Sequence, residues 1–131
     1  MNEMINSVIE KWTIFWNTYN LDSLDELFLS NSEVTYFSSE KKGLIKGIEE
    51  IREHHRNFGF IAGGKDNNSK LWLEDINITT LHKEVVVAAI WFFQKYIESK
   101  PIQQGPVTMV LTPIEERIDK YRIAHMHFAN Y

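Results

Sequence analysis

The apolar period of the chain changes once, near Lys70, and this change limits the fold more than any other feature. Before it, Ile5, Val8, Trp12, Phe15, Trp16 and Tyr19 recur at three- and four-residue spacing, the stripe of an unusually aromatic amphipathic helix. Asn20-Leu21-Asp22 breaks the stripe, and Asp22 is a suitable N-cap for a short second helix through Leu24, Leu27 and Phe28. Val34-Thr35-Tyr36-Phe37 reads as a short strand, followed by a turn around Glu40 to Gly43 and a second short strand. A third helix opens near Gly47, with Ile48, Ile51, His55 and Phe58 on its apolar face. Gly59 and the Gly63-Gly64 pair close it.

After Lys70 the period is two. Strands are expected over 71–81, 85–97, 106–112 and 120–128, with breaks at 82–83, 99–101 and 113–119. Connections this short suit antiparallel neighbours, since parallel ones need crossover segments. Helices first and an antiparallel meander after them make an α+β domain. The strand from Val85 to Phe93 is apolar on both faces, so each side needs a cover. The helices cover one. For the other, the expectation is a homodimer formed sheet to sheet, aided by Ala124, Met126 and Phe128.

With 131 residues the chain suits one domain, residues 1–131, with a core that needs no staples. A formal charge of −4 leaves no basic field for a phosphate backbone, so no nucleic-acid partner is expected. The absence of cysteine excludes disulfides, thiol catalysis and Cys-based zinc sites. The first residues carry no basic-then-apolar leader, and the longest apolar run is half a membrane span. No membrane contact and a soluble cytoplasmic protein are the expectation.

The last strand carries the most distinctive chemistry. Strict alternation places Tyr121, Ile123, His125 and His127 on one side and Arg122, Ala124, Met126 and Phe128 on the other. A single bulge would exchange the two sets. If the imidazoles line a hollow, His125 and His127 are candidates for ligand contact or acid–base catalysis, their ordinary pKa being near 6.5. The alternative is a pair of satisfied core histidines. His55, on the apolar face of the third helix, can converge on the same hollow, while His54 falls on its flank. Three histidines raise a metal reading, but no His-Glu-x-x-His spacing supports it, and no metal or cofactor is expected. Trp16, Tyr36, Trp91 and Met109 are candidate walls of an aromatic pocket for a planar or hydrophobic molecule. Asp75 is the one strand carboxylate that could face inward, a solvated rim position being the alternative.

The arrangement resembles the nuclear transport factor two-like superfamily, in particular its small bacterial SnoaL-like members. The likeness rests on the aromatic helix running into Asn20-Leu21-Asp22-Ser23-Leu24, the strand Val34 to Phe37, Gly47-Ile48-Glu49-Glu50-Ile51, and the closing hairpin of Gly105 to Leu111 and Tyr121 to His127. The ending is similar to that of the calmodulin-dependent kinase association domain. The resemblance implies a cystatin-like, cone-shaped α+β barrel, with three N-terminal helices packed in the concave face of a strongly curved, mostly antiparallel sheet. It also implies a pocket at the open end, to which Tyr19 would offer a phenol as the first helix does in ketosteroid isomerase. The buried aspartate on which ketosteroid isomerase and scytalone dehydratase depend has no counterpart here. Three functions follow: a small-molecule-binding protein, a lyase, isomerase or hydrolase using a pocket histidine as base, or an oligomerisation module.

Overall fold

The computed structural model describes residues 2–65, 68–95, 102–114 and 117–131. Helix α1 (Asn2–Thr18) leads through a 3-10 turn (Leu21–Ser23) to the short α2 (Leu24–Leu27). Strands β1 (Thr35–Phe37) and β2 (Ile45–Lys46) precede α3 (Ile48–Phe58). Four long strands follow: β3 (Ser69–Leu81), β4 (Glu84–Lys95), β5 (Gln103–Ile114) and β6 (Arg117–Phe128). The expected strand end at Ile97, the expected break at 99–101, and Glu98, Glu115 and Glu116 lie outside the described residues.

The aromatic stripe of α1 is the helix's core face, with Ile5, Val8, Trp12, Phe15 and Trp16 all buried. Tyr19 ends it, its φ of 53° being incompatible with another helical turn. Asp22 does not cap α2 as expected. Asn20 caps the 3-10 turn, its side-chain oxygen accepting from the Asp22 backbone N–H at 3.2 Å, and Ser23 stands at the N-cap of α2 without a side-chain bond. The position is set by where α1 stops, which the apolar spacing does not specify.

One six-stranded sheet runs in the order β2-β1-β6-β5-β4-β3 and does not close. Its long strands pair antiparallel, while β1 lies parallel to β6. Helix α1 touches both β3 and β6, which β4 and β5 separate in the sheet, so the sheet must curve around it. Asn17 fastens one side: its amide donates to the Leu71 carbonyl at 2.8 Å and accepts from the Leu71 N–H at 2.9 Å. Among the described residues no helix is long and apolar enough to cross a membrane.

Two register shifts decide which side chains look inward. In β3 the shift between Glu74 and Asn77, with Asp75 at φ 54°, moves the inner face from Leu71 and Leu73 to Ile78. Asp75 is exposed as a result. In β6 the shift is at Ala124: Leu111 pairs with Ile123, but Val110 pairs with His125. One residue too many against β5 turns the strand over. Tyr121 and Ile123 face the core before it, and Met126 and Phe128 after it. The bulge coincides with a change of neighbour, from Phe28 bridging Ile123 to β1 pairing with 125–127.

This corrects two expectations. Met126 and Phe128 belong to the core and are not available to a sheet-to-sheet partner. His125 and His127 take their place on the outer face, beside Val110, Thr108 and the half-buried β4 row of Val86, Ala88, Ile90 and Phe92.

Gly105 shows how closely the C-terminal segment lies on the sheet. A Cβ there would sit 1.9 Å from the Ala129 carbonyl oxygen, a backbone atom that no rotamer change can move aside. Gly105→Ala should therefore lower the urea midpoint by the equivalent of about 1–3 kcal/mol. An unchanged midpoint would show that the closing segment is not held there.

Candidate functional site

Helices α1 and α3 and the inner sheet face leave a hollow of about 60 Å³ between them. Trp16 lines it from α1, Leu71 from β3, Trp91 and Phe93 from β4, and Phe128 from β6. His54, His55 and Phe58 contribute from α3. Glu40, Gln103 and Asn130, all exposed, mark its solvent side. A volume of this size exceeds the roughly 10–15 Å³ one water needs but falls short of the ~150 Å³ that admits benzene. Its volume is that of a very small molecule or of the tip of a larger one.

Each wall follows from local structure. Trp91 is on the inner face of β4 with Val85, Val87 and Ala89, and its indole N–H donates to the Ala129 carbonyl at 2.7 Å. Phe128 stacks on Trp91 at 4.5 Å and lies parallel to Trp16 at 5.5 Å. Helix α3 is stopped by Gly59 at φ 125°, whose N–H bonds back to His55 and Arg56 carbonyls. That turn brings Phe60 back against Trp16 and His55, at 5.1 Å from each.

His55 is the one buried polar residue among those described, at 1% exposure. Its Nδ1 lies 2.8 Å from the Ile51 carbonyl oxygen, one turn earlier. A carbonyl can only accept, so Nδ1 carries the proton and Nε2 presents a lone pair. That Nε2 is buried without a hydrogen-bond partner, as are the indole nitrogens of Trp12 and Trp16. Burial drives the His55 pKa down to about 4, against a smaller upward effect of the Ile51 bond. The ring is neutral at physiological pH. His54 beside it is half-buried, and burial and then the charge of Lys41 hold its pKa below the ordinary value.

Of the residues expected at a pocket, Trp16, His55 and Trp91 line this hollow. The others are elsewhere. Tyr19 stacks on Phe60 at 4.1 Å and borders a separate surface groove with Ala62 and Lys65. Tyr36 is buried behind His55, 5.4 Å from its ring, and burial pushes its phenol pKa up. Met109 is fully buried in the core. His125 and His127 face outward, away from the hollow. Nδ1 of His125 lies 2.8 Å from the Thr35 hydroxyl, and Phe37 packs against both rings. Burial, then His127, lowers the His125 pKa.

Sequence reasoning missed His54, Leu71, Phe93, Phe128 and the solvent-side residues. Phe93 was within reach, being one pleat beyond Trp91 on the same face. Phe128 was not, because only the bulge turns it inward. Among the described residues no group of three His, Asp or Glu side chains could hold a metal ion.

No family model matches the chain, and no curated protein matches it. Solved structures do. The chain has the nuclear transport factor 2-like, cystatin-like fold. A superfamily protein of that name from Salmonella enterica superposes with a TM-score of 0.75 at 20% identity, covering 95% of this chain and 87% of that one. The CaMKII hub of S. rosetta gives 0.79 at 16% identity, over 98% and 95%. A Parabacteroides distasonis protein provisionally named a ketosteroid isomerase gives 0.70 at 14%, over 95% and 85%.

The neutral, buried His55 sets a pH dependence. Its folded pKa, about 4, lies below the ordinary 6.5, so between these values the unfolded chain binds the proton first. The stability involved is fully present above pH 6.5 and is lost as the pH falls toward 4, by up to about 3 kcal/mol. His55→Phe should flatten that part of the pH–stability curve, measured by urea unfolding at pH 7 and pH 4.5. Equal slopes in both proteins would mean that His55 is not held neutral.

Proposed function

We propose that the protein binds a small molecule in the hollow between α1, α3 and the sheet, with Trp16, His55 and Trp91 among its contacts. The observation that carries this reading is a buried, unpartnered imidazole nitrogen on a side chain lining a largely apolar cavity. Sites for small ligands combine apolar walls with a few placed polar groups, and the hollow has both. Its apolar walls are supplied by Trp16, Leu71, Trp91, Phe93 and Phe128. Acid–base catalysis is the weaker reading. A base with a pKa near 4 has little proton affinity at neutral pH, and no carboxylate is buried among the described residues.

Two indoles in the wall give the test its signal. Tryptophan fluorescence, read while small apolar compounds are titrated in, should change and saturate in the millimolar range or below, on the order of 4 kcal/mol of binding. Leu71→Phe, which fills part of the hollow, should weaken that response while the protein still melts cooperatively. A panel that moves neither fluorescence nor melting temperature would end the reading.

Self-association through the outer sheet face is a second part of the proposal. The half-buried row of Val86, Ala88, Ile90 and Phe92 is apolar on the side the helices do not cover. The likeness to a structure described as the CaMKII hub supports association between copies of this fold. Sedimentation should give a dimer or larger species at micromolar concentration, and Ile90→Glu should shift it to monomer. A wild-type monomer across that range would remove the interface.

A further inference from the structure

Two side chains that line the hollow carry buried polar atoms of opposite sense, and together they describe a ligand. His55 Nε2 is an acceptor only, because the Ile51 carbonyl at 2.8 Å fixes the proton on Nδ1. The Trp16 indole nitrogen is a donor only. Both atoms are buried without a partner, on side chains that line the same cavity. The two rings are direct neighbours, with centres 6.2 Å apart.

We infer that the hollow selects a neutral hydroxyl group carried on an apolar molecule, whose O–H donates to His55 Nε2 and whose oxygen accepts from the Trp16 indole N–H. This rests on the binding reading above and adds the ligand's chemistry to it. A carboxylate offers oxygen lone pairs to the Nε2 lone pair and is repelled. It would bind only by protonating the ring, which burial opposes. An ammonium group has no acceptor for the indole N–H and would be desolvated among Leu71, Phe93 and Phe128. An alkyl group leaves both nitrogens unsatisfied. Only a group that is donor and acceptor at once, without charge, answers both.

The volume adds a limit. At about 60 Å³ the hollow takes the hydroxyl and the atoms beside it. A larger apolar remainder then lies toward Phe58 and the solvent-side residues Gln103 and Asn130.

The experiment compares probes of one shape and different head groups: phenol, toluene, benzoate and benzylammonium. With the wild-type protein, phenol should bind at least about tenfold more tightly than toluene, and the two ions more weakly than either. In His55→Phe and Trp16→Phe the advantage of phenol over toluene should fall toward unity. Nitrogen-15 spectra of the wild-type protein give a readout that needs no variant. The Trp16 indole N–H and the His55 Nε2 resonances should both shift on adding phenol, and Nε2 should keep the chemical shift range of an unprotonated nitrogen. Equal affinity for phenol and toluene would overturn the inference while leaving the hollow a binding site. Tighter binding of benzoate than phenol would overturn it in favour of an anion. If none of the four binds, both this inference and the binding reading fail.

Discussion

Phe128 is held between two indoles, stacked on Trp91 on one side and parallel to Trp16 on the other. That sandwich joins the first helix to the sheet, because Trp16 belongs to α1, Trp91 to β4 and Phe128 to the end of β6. Offset-stacked aromatic pairs add about 0.5–1.5 kcal/mol each beyond the area they bury. Removing the central ring would therefore loosen both contacts and open the hollow that the three rings border. The same rings thus fix the helix and shape the site.

The sandwich exists only because β6 carries an extra residue at Ala124. Without it, the alternation that puts Tyr121 and Ile123 in the core would put His125 and His127 there too, and Phe128 would face the opposite side. The bulge exchanges two imidazoles for a methionine and a phenylalanine in the core. It does so where β6 passes from one neighbour to another, Phe28 before and β1 after. A strand that changes partners must reset its pairing, and an unpaired residue is a direct means of doing so. The consequence outside is a face that carries Phe37, His125 and His127 in contact, next to the apolar row of β4.

Much of this was legible in the sequence. The helical stripe from Ile5 to Trp16, the helix opened by Gly47 and the four long strands come from periodicity, which burial of a face imposes directly on residue order. Trp91 and His55 lie on the inner faces of their elements for the same reason: each follows from the phase of an uninterrupted element. His125 and His127 were misplaced because phase is conserved only until a bulge intervenes, and the sequence around Ala124 has no glycine or proline to announce one. Tyr19 was lost differently. It lies at the C-terminal end of the α1 stripe, and the left-handed backbone that ends the helix swings it onto Phe60. His54 escaped because a flank position on a helix becomes a wall once a neighbouring loop, here Ser38 to Glu40, rises beside it.

The energetic oddity of the core is that it keeps His55 and Trp16 unsatisfied. A buried donor or acceptor without a partner costs about 1–3 kcal/mol, and a domain's whole stability is roughly 5–15 kcal/mol. Three such nitrogens in one aromatic cluster are a large fraction of that margin. Phenylalanine at position 55 would supply apolar packing without the deficit. Trp12 has a simpler account, since its large ring fills the centre of the core and an indole brings its N–H with it. His55 has no comparable packing reason, because an imidazole is smaller and more polar than the phenylalanines on either side of it. Its tautomer is also held by a backbone carbonyl, which leaves the lone pair in a fixed direction. A fixed lone pair in an apolar setting is costly in the free protein and becomes favourable once a donor reaches it. Under the proposed binding a ligand's donor recovers the deficit, and affinity at such a site comes from the penalty removed as well as from the contact made.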